Sequence, residues 1–243
     1  MVFSKIITLL ITVQLLFVLS DSYKIVGQTT DSIAKVHQKF DAFYGLNSEL
    51  INGIKYFPLY TNARGSAFWE GDEPHIARLV LNGMVFLNQK IQYEINRQEF
   101  ILTYKDQIGA ESKIIVNHQI LDSVIVDNHT FVKSYNKNID QRFIEILYQG
   151  VISGYLGFKK EVKFVSAGIE SGYVYSKQKK TNYIVYQNQV FRFKNNRSFL
   201  KVTPDVIRLS VNEYLKKNKI TIRNASNEDI KMLFEYANKL LVQ

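Results

Sequence analysis

The 243-residue chain has no cysteine, only three prolines and a single tryptophan. Without cysteine there can be no disulfide framework, no thiolate nucleophile and no sulfur ligand for a metal. Lipid attachment through an N-terminal cysteine is excluded as well. Exported eukaryotic domains usually carry disulfides, so an exported chain without them points to a bacterial source. The few prolines stand beside 16 Phe and 15 Tyr. That balance favours strands, because aromatic and β-branched side chains fit a pleated, half-buried surface. Acidic residues are also scarce: 22 against 31 Lys and Arg, a net charge of +9.

What is present begins with an apolar run, Ile6 to Leu19, preceded by Lys5 and broken by Thr8, Thr12 and Gln14. It is shorter than the roughly 20 residues that cross a bilayer. With small polar residues at Ser20 and Ser22, it reads as a signal peptide over 1–22, cleaved after Ser22. No transmembrane segment is expected after cleavage. The address is then the periplasm or cell envelope. There a basic protein meets lipid headgroups, lipopolysaccharide, acidic glycans or an acidic protein surface, and no nucleic acid. The basic residues are spread along the chain, which serves solubility equally well.

Residues 23–243 read as a single β-rich domain. Ile33, Val36, Phe40 and Phe43 line one face of a helix over 31–45. From Ile76 the period changes to two. Asn82-Gly83 is the strongest hairpin signal, and Ile91-Gln-Tyr93-Glu-Ile95 alternates like a half-buried strand. Short strand candidates follow to Lys194, joined by connections that favour antiparallel pairing of neighbours. Thr203-Pro204 then opens a helix over 204–217, with apolar Val206, Leu209, Val211 and Leu215. Ser226 and Asp229 make a capping box for a last helix over 227–241. The fold class is mainly β: an antiparallel meander over 76–194, forming a curled sheet or open barrel, with one N-terminal and two C-terminal helices. An outer-membrane barrel would need strands of about 9–11 residues, which these segments do not supply.

Reactive constellations are sparse. His118 and His129 lie near Asp122 and Asp127, but histidines beside hairpin turns are ordinarily solvated, and no metal or other cofactor is expected. Gly150-Val-Ile-Ser153-Gly154 and Gly168-Ile-Glu-Ser171-Gly172 miss the nucleophile elbow by one residue and lack its strand-to-helix setting. Ser32 and Ser134 each precede a lysine by three, without the partner motif that such serines require. One dense cluster remains, Phe68-Trp69-Glu70-Gly71-Asp72-Glu73-Pro74. Trp69 beside Glu70, Asp72 and Glu73 suits a sugar or cation. The plainer reading is a turn whose tryptophan caps the core.

The order of pieces carries a resemblance. Tyr44 to Tyr56, Gly65-Ser-Ala-Phe-Trp69-Glu-Gly71, Leu81-Asn82-Gly83 and Ile91-Gln-Tyr93-Glu-Ile95 belong to it. So do Asp127-Asn-His129-Thr-Phe131-Val, Ile146 to Gly150, Tyr183 to Asn188 and the tail from Leu215 to Tyr236. Together they resemble an uncharacterised family of exported proteins common in Bacteroidota, over roughly residues 40–240. The resemblance implies an envelope address and carries no activity. Gln149 to Ser153 departs from it, since relatives are more basic there. Three functional readings compete. The sequence favours a non-catalytic module that binds an envelope protein or an anionic surface component. The alternatives are a hydrolase of glycan or lipid working through carboxylates, and a carrier of a small apolar ligand.

Overall fold

The computed structural model describes residues 47–106, 108–166 and 171–242. The leader expected at 1–22 and the helix expected at 31–45 lie outside these residues. The strands are Ile54–Lys55 (β1), His75–Leu81 (β2), Met84–Glu94 (β3), Glu99–Lys105 (β4), Glu111–Ile115 (β5), Leu121–Val126 (β6) and His129–Lys133 (β7). Then come Phe143–Tyr148 (β8), Ile152–Lys159 (β9), Val162–Val165 (β10), Gly172–Tyr175 (β11), Lys179–Tyr186 (β12) and Gln189–Phe193 (β13). Three helices follow: Asn196–Val202 (α1), Asp205–Lys217 (α2) and Asn227–Val242 (α3). Glu49–Gln243 make one compact unit.

The fold is mainly antiparallel β. Eleven strands form one sheet in the order β1-β5-β4-β3-β2-β6-β7-β8-β9-β12-β13, while β10 and β11 pair separately. The end strands do not pair with each other, so this sheet is curled but not closed into a barrel. Sequence neighbours pair except at three places, the first being β1, which joins β5 rather than β2. β6 returns to β2 rather than β5, and β12 joins β9 after the β10–β11 excursion.

Turn chemistry explains the hairpins. Asn82 and Gly83 both take positive φ, 46° and 76°, as the tight turn between β2 and β3 requires. Gln187 and Asn188 do the same at 50° and 61° between β12 and β13, with no glycine to relieve them. The bend of the sheet lies in β3. Ala77 pairs with Gln89 but Leu79 pairs with Phe86, so β3 carries one extra residue, with Asn88 at φ 57°. Such a bulge bends a strand and sharpens its twist. Beyond it β3 keeps its pairing with β2 at Lys90 and Ile91, and its other edge pairs with β4 through Lys90 to Glu94.

The bend brings the β3–β4 turn over β8 and β9. Tyr93 Oη donates to Phe143 O (3.3 Å), Gln98 Nε2 to Phe158 O (2.9 Å) and Lys160 N to Ile95 O (3.3 Å). The concave face is filled with rings: Tyr93 stacks on Phe100 at 4.4 Å, and Phe131 meets Trp69, Tyr93, Phe100 and Phe158. Each such pair adds about 0.5–1.5 kcal/mol beyond its burial.

The same face receives α3 further along β9. Ile230, Leu233, Phe234 and Ala237 are buried there. A Cβ on Gly154 would stand 2.4 Å from the Phe234 ring, so the glycine is what lets this ring lie on the sheet. Asn238 then fixes the register of helix against strand. Its Nδ2 donates to Ile152 O (2.7 Å) and its Oδ1 accepts from Ile152 N (3.0 Å).

Several expectations shift in detail. Gln92 and Glu94, polar partners in the alternating segment, are buried along with their apolar neighbours, because Phe68–Trp69 pairs along this end of β3. A third helix, α1, precedes the two expected. Asn195 caps it in a reciprocal box with Ser198, and Thr203 ends it by donating its hydroxyl to Phe199 O. Thr203 therefore closes α1 instead of opening α2, whose N-cap is Pro204. On α2 the buried stripe is Ile207, Val211 and Leu215, whereas Val206 and Leu209 are exposed. The Ser226–Asp229 box forms as read, with Asp229 N donating to Ser226 Oγ and Ser226 N to Asp229 Oδ2.

Candidate functional site

Two places on this scaffold gather chemistry-bearing residues, one on the concave face and one at the outer edge. The first is built by register. His129 and Phe131 on β7, and Phe143, Glu145 and Leu147 on β8, share the concave face, since Phe131 pairs opposite Glu145. This puts a carboxylate in the middle of an apolar surface. Glu145 is 3% exposed, and His129 Nδ1 lies 2.7 Å from its Oε1. Burial pushes the Glu145 carboxyl above the usual carboxylate range, and the bond to His129 and the charge of Lys180 pull it back.

Trp69 covers this pair. Its ring is 2% exposed and lies 5.1 Å from His129 and 5.4 Å from His75, centroid to centroid. Trp69 Nε1, His75 Nε2 and Glu145 Oε2 are buried without hydrogen-bond partners among the described residues. Trp69 is held here because its backbone N–H bonds Tyr93 O (2.8 Å) while Ile95 N bonds Ala67 O (3.1 Å), a short extension of the sheet.

The residues singled out from sequence therefore separate. Trp69 points into the core, while Glu70, Asp72 and Glu73 are exposed on the turn that follows. A ring so deeply buried shares no surface with those carboxylates. His129 is drawn to Glu145 rather than to Asp122, whose Oδ2 accepts from Gly83 N at 2.7 Å. Among the described residues no three His, Asp or Glu side chains converge as metal ligands. Ser153 Oγ both donates to and accepts from Gly150, which makes it a turn residue. Ser134 Oγ is buried without a partner among the described residues, and Ser32 lies outside them.

Glu145 itself could have been found. It stands in phase with Phe143 and Leu147, so the alternation that buries them buries it too. His129 and Glu145 form a base with its orienting carboxylate, yet among the described residues no hydroxyl hydrogen-bonds His129. What the arrangement does chemically is hold a proton-sharing pair beneath a tryptophan.

The second place is the outer edge built by β1, the chain through Arg64, and the β10–β11 hairpin. Arg64 N donates to Tyr173 O and Tyr175 N to Arg64 O, both at 2.9 Å, which straps the hairpin to the chain after β1. Tyr60 then packs on Tyr173 at 4.5 Å, and Tyr173 on Phe164 at 5.3 Å. Beside this row Phe57 is 64% exposed, Leu59 63% and Phe164 61%. Residues 51–66 and 161–180 contain six Lys or Arg against two carboxylates, Glu161 and Glu170, and Glu161 pairs with Lys179 at 2.9 Å. Lys55, Lys163 and Lys177 are exposed among them, and the Lys55 ammonium stands 5.5 Å over the Phe57 ring.

Beneath this edge lies Glu94, almost fully buried. Burial raises its carboxyl pKa, against the pull of Arg97 and the Tyr56 hydroxyl. The same burial, with Glu94 adjacent, raises the Tyr56 phenol. A separate open cleft of about 500 Å³ lies between β13 and the α1–α2 corner, beside Phe191, Arg192, Lys201 and Arg208. Two of its cations are already engaged, Arg192 with Asp140 (2.8 Å) and Arg208 with Asp205.

Comparison with family models, curated proteins and solved structures finds no match for this chain. No described helix is long and apolar enough to cross a membrane.

Proposed function

We propose that the chain is a non-catalytic module of the bacterial cell envelope that binds an anionic surface component through its outer basic edge. One observation supports this most: exposed Phe57, Leu59 and Phe164 stand in segments, 51–66 and 161–180, where six Lys or Arg outnumber two carboxylates, Glu161 and Glu170. Such an excess of positive charge steers an anionic partner. The concave face supports the same reading from the other side, because rings and α3 fill it and, among the described residues, no hydroxyl bonds its His–Glu pair.

The test is capture from solubilised envelope by the immobilised mature protein. Retention at about 0.1 M salt and release at about 1 M, where screening shortens to about 3 Å, is expected. A partner held equally at both salts, or none at either, would refute the reading.

A further inference from the structure

Resting on that binding reading, we infer that the anionic component is a lipid bilayer, and that the β10–β11 edge docks on its headgroups. The row of side chains has the two chemistries an interface requires. Phe57, Leu59 and Phe164 are apolar tips more than half exposed, able to enter the headgroup layer. Tyr60, Tyr173 and Tyr175 lie just behind them, and phenol rings suit the boundary between acyl chains and water. Lys55 and Lys163 sit beside the tips and reach phosphates, each worth about fivefold in affinity for an anionic surface. An acidic polysaccharide would use the lysines but would gain nothing from Leu59 or from the aliphatic Val165 beside Phe164. The edge is also held in shape before contact, through the Arg64 backbone bonds to Tyr173 and Tyr175. Docking therefore does not have to order the chain first.

Flotation with phosphatidylcholine vesicles, with and without phosphatidylglycerol, tests this beside a heparin column that reads anion binding alone. Binding only to the phosphatidylglycerol vesicles is expected. A Phe57→Ser, Leu59→Ser, Phe164→Ser triple variant should weaken vesicle binding about tenfold or more while leaving heparin retention unchanged. Because Trp69 is 2% exposed and fixed, a Phe57→Trp variant gives a clean second signal, a blue shift when anionic vesicles are added. Retention on heparin with no vesicle binding overturns the lipid assignment and leaves the binding reading standing. Loss of both removes both. Undiminished vesicle binding by the serine variant also overturns it, as does a salt-resistant dimer that hides Phe57 from vesicles.

Discussion

The concave face and the outer edge are made of similar residues put to opposite use. Both carry Phe, Tyr and a buried carboxylate. On the concave face Phe131 has four aromatic neighbours, and the His129–Glu145 pair is enclosed with it. At the outer edge Phe57 and Phe164 stay largely in water, and lysines surround them. A core can hold a charge only when a partner shares it, whereas an edge can display cations freely. The difference teaches where stability resides and where recognition is available. Removing a ring inside should unfold the protein, and removing one outside should leave it folded.

The largest effect is therefore expected at Phe131. Phe131→Ala removes a ring that joins β7 to the bent half of the sheet, and a loss of about 3–5 kcal/mol is expected. Urea unfolding followed by Trp69 fluorescence measures it directly. A cost below about 1 kcal/mol would mean that the two halves of the sheet do not depend on this cluster.

The next effect is one of pH. Glu145 has its carboxyl pKa raised by burial, so the folded state holds this proton more tightly than the unfolded chain does. That contribution to stability is complete below the ordinary value near 4.5 and is lost as pH rises through the raised one. Glu145→Gln keeps an acceptor for His129 and cannot ionise. Its stability relative to wild type should rise as pH climbs above about 4.5. Denaturation midpoints that stay parallel across this range would show that His129 already neutralises the cost.

Smaller again is the cap of α1. Asn195 Oδ1 accepts from Ser198 N at 2.8 Å, so Asn195→Ala should cost about 1 kcal/mol in thermal or urea unfolding. This cap also marks a limit of reading from sequence. The hairpins announced themselves: Asn82-Gly83 can take the turn angles that few pairs adopt, and the capping box at Ser226 is a local hydrogen-bond pattern. Helix α1 did not, because its seven residues hold little apolar periodicity, and the more obvious Thr203-Pro204 signal belongs to its end. The curl of the sheet was legible only as a class. Its cause is the extra residue near Asn88 and the return of β6 to β2, and neither leaves a pattern in the local alternation. The outer edge was invisible for a related reason. Its lysines and rings come from segments about a hundred residues apart, brought together by the backbone bonds of Arg64 to Tyr173 and Tyr175 and by Tyr60 packing on both rings.

The smallest effect on stability is expected where the largest effect on binding is. Phe57 and Phe164 bury less than half of their surface, so replacing each by serine should change stability by no more than about 0.5 kcal/mol. Phe164→Ser forfeits its ring contact with Tyr173, which is worth less at an exposed site than in a core. Calorimetric midpoints within a degree or two of wild type are expected, about 2–4 °C being the shift for each full kcal/mol in a chain of this size. A fall as large as that at Phe131 would mean that these tips complete a packed layer, and the contrast between core and edge would fail. A midpoint left in place makes any loss of vesicle binding by the same variants a property of the surface itself. The two measurements together separate a side chain kept for folding from one kept for contact.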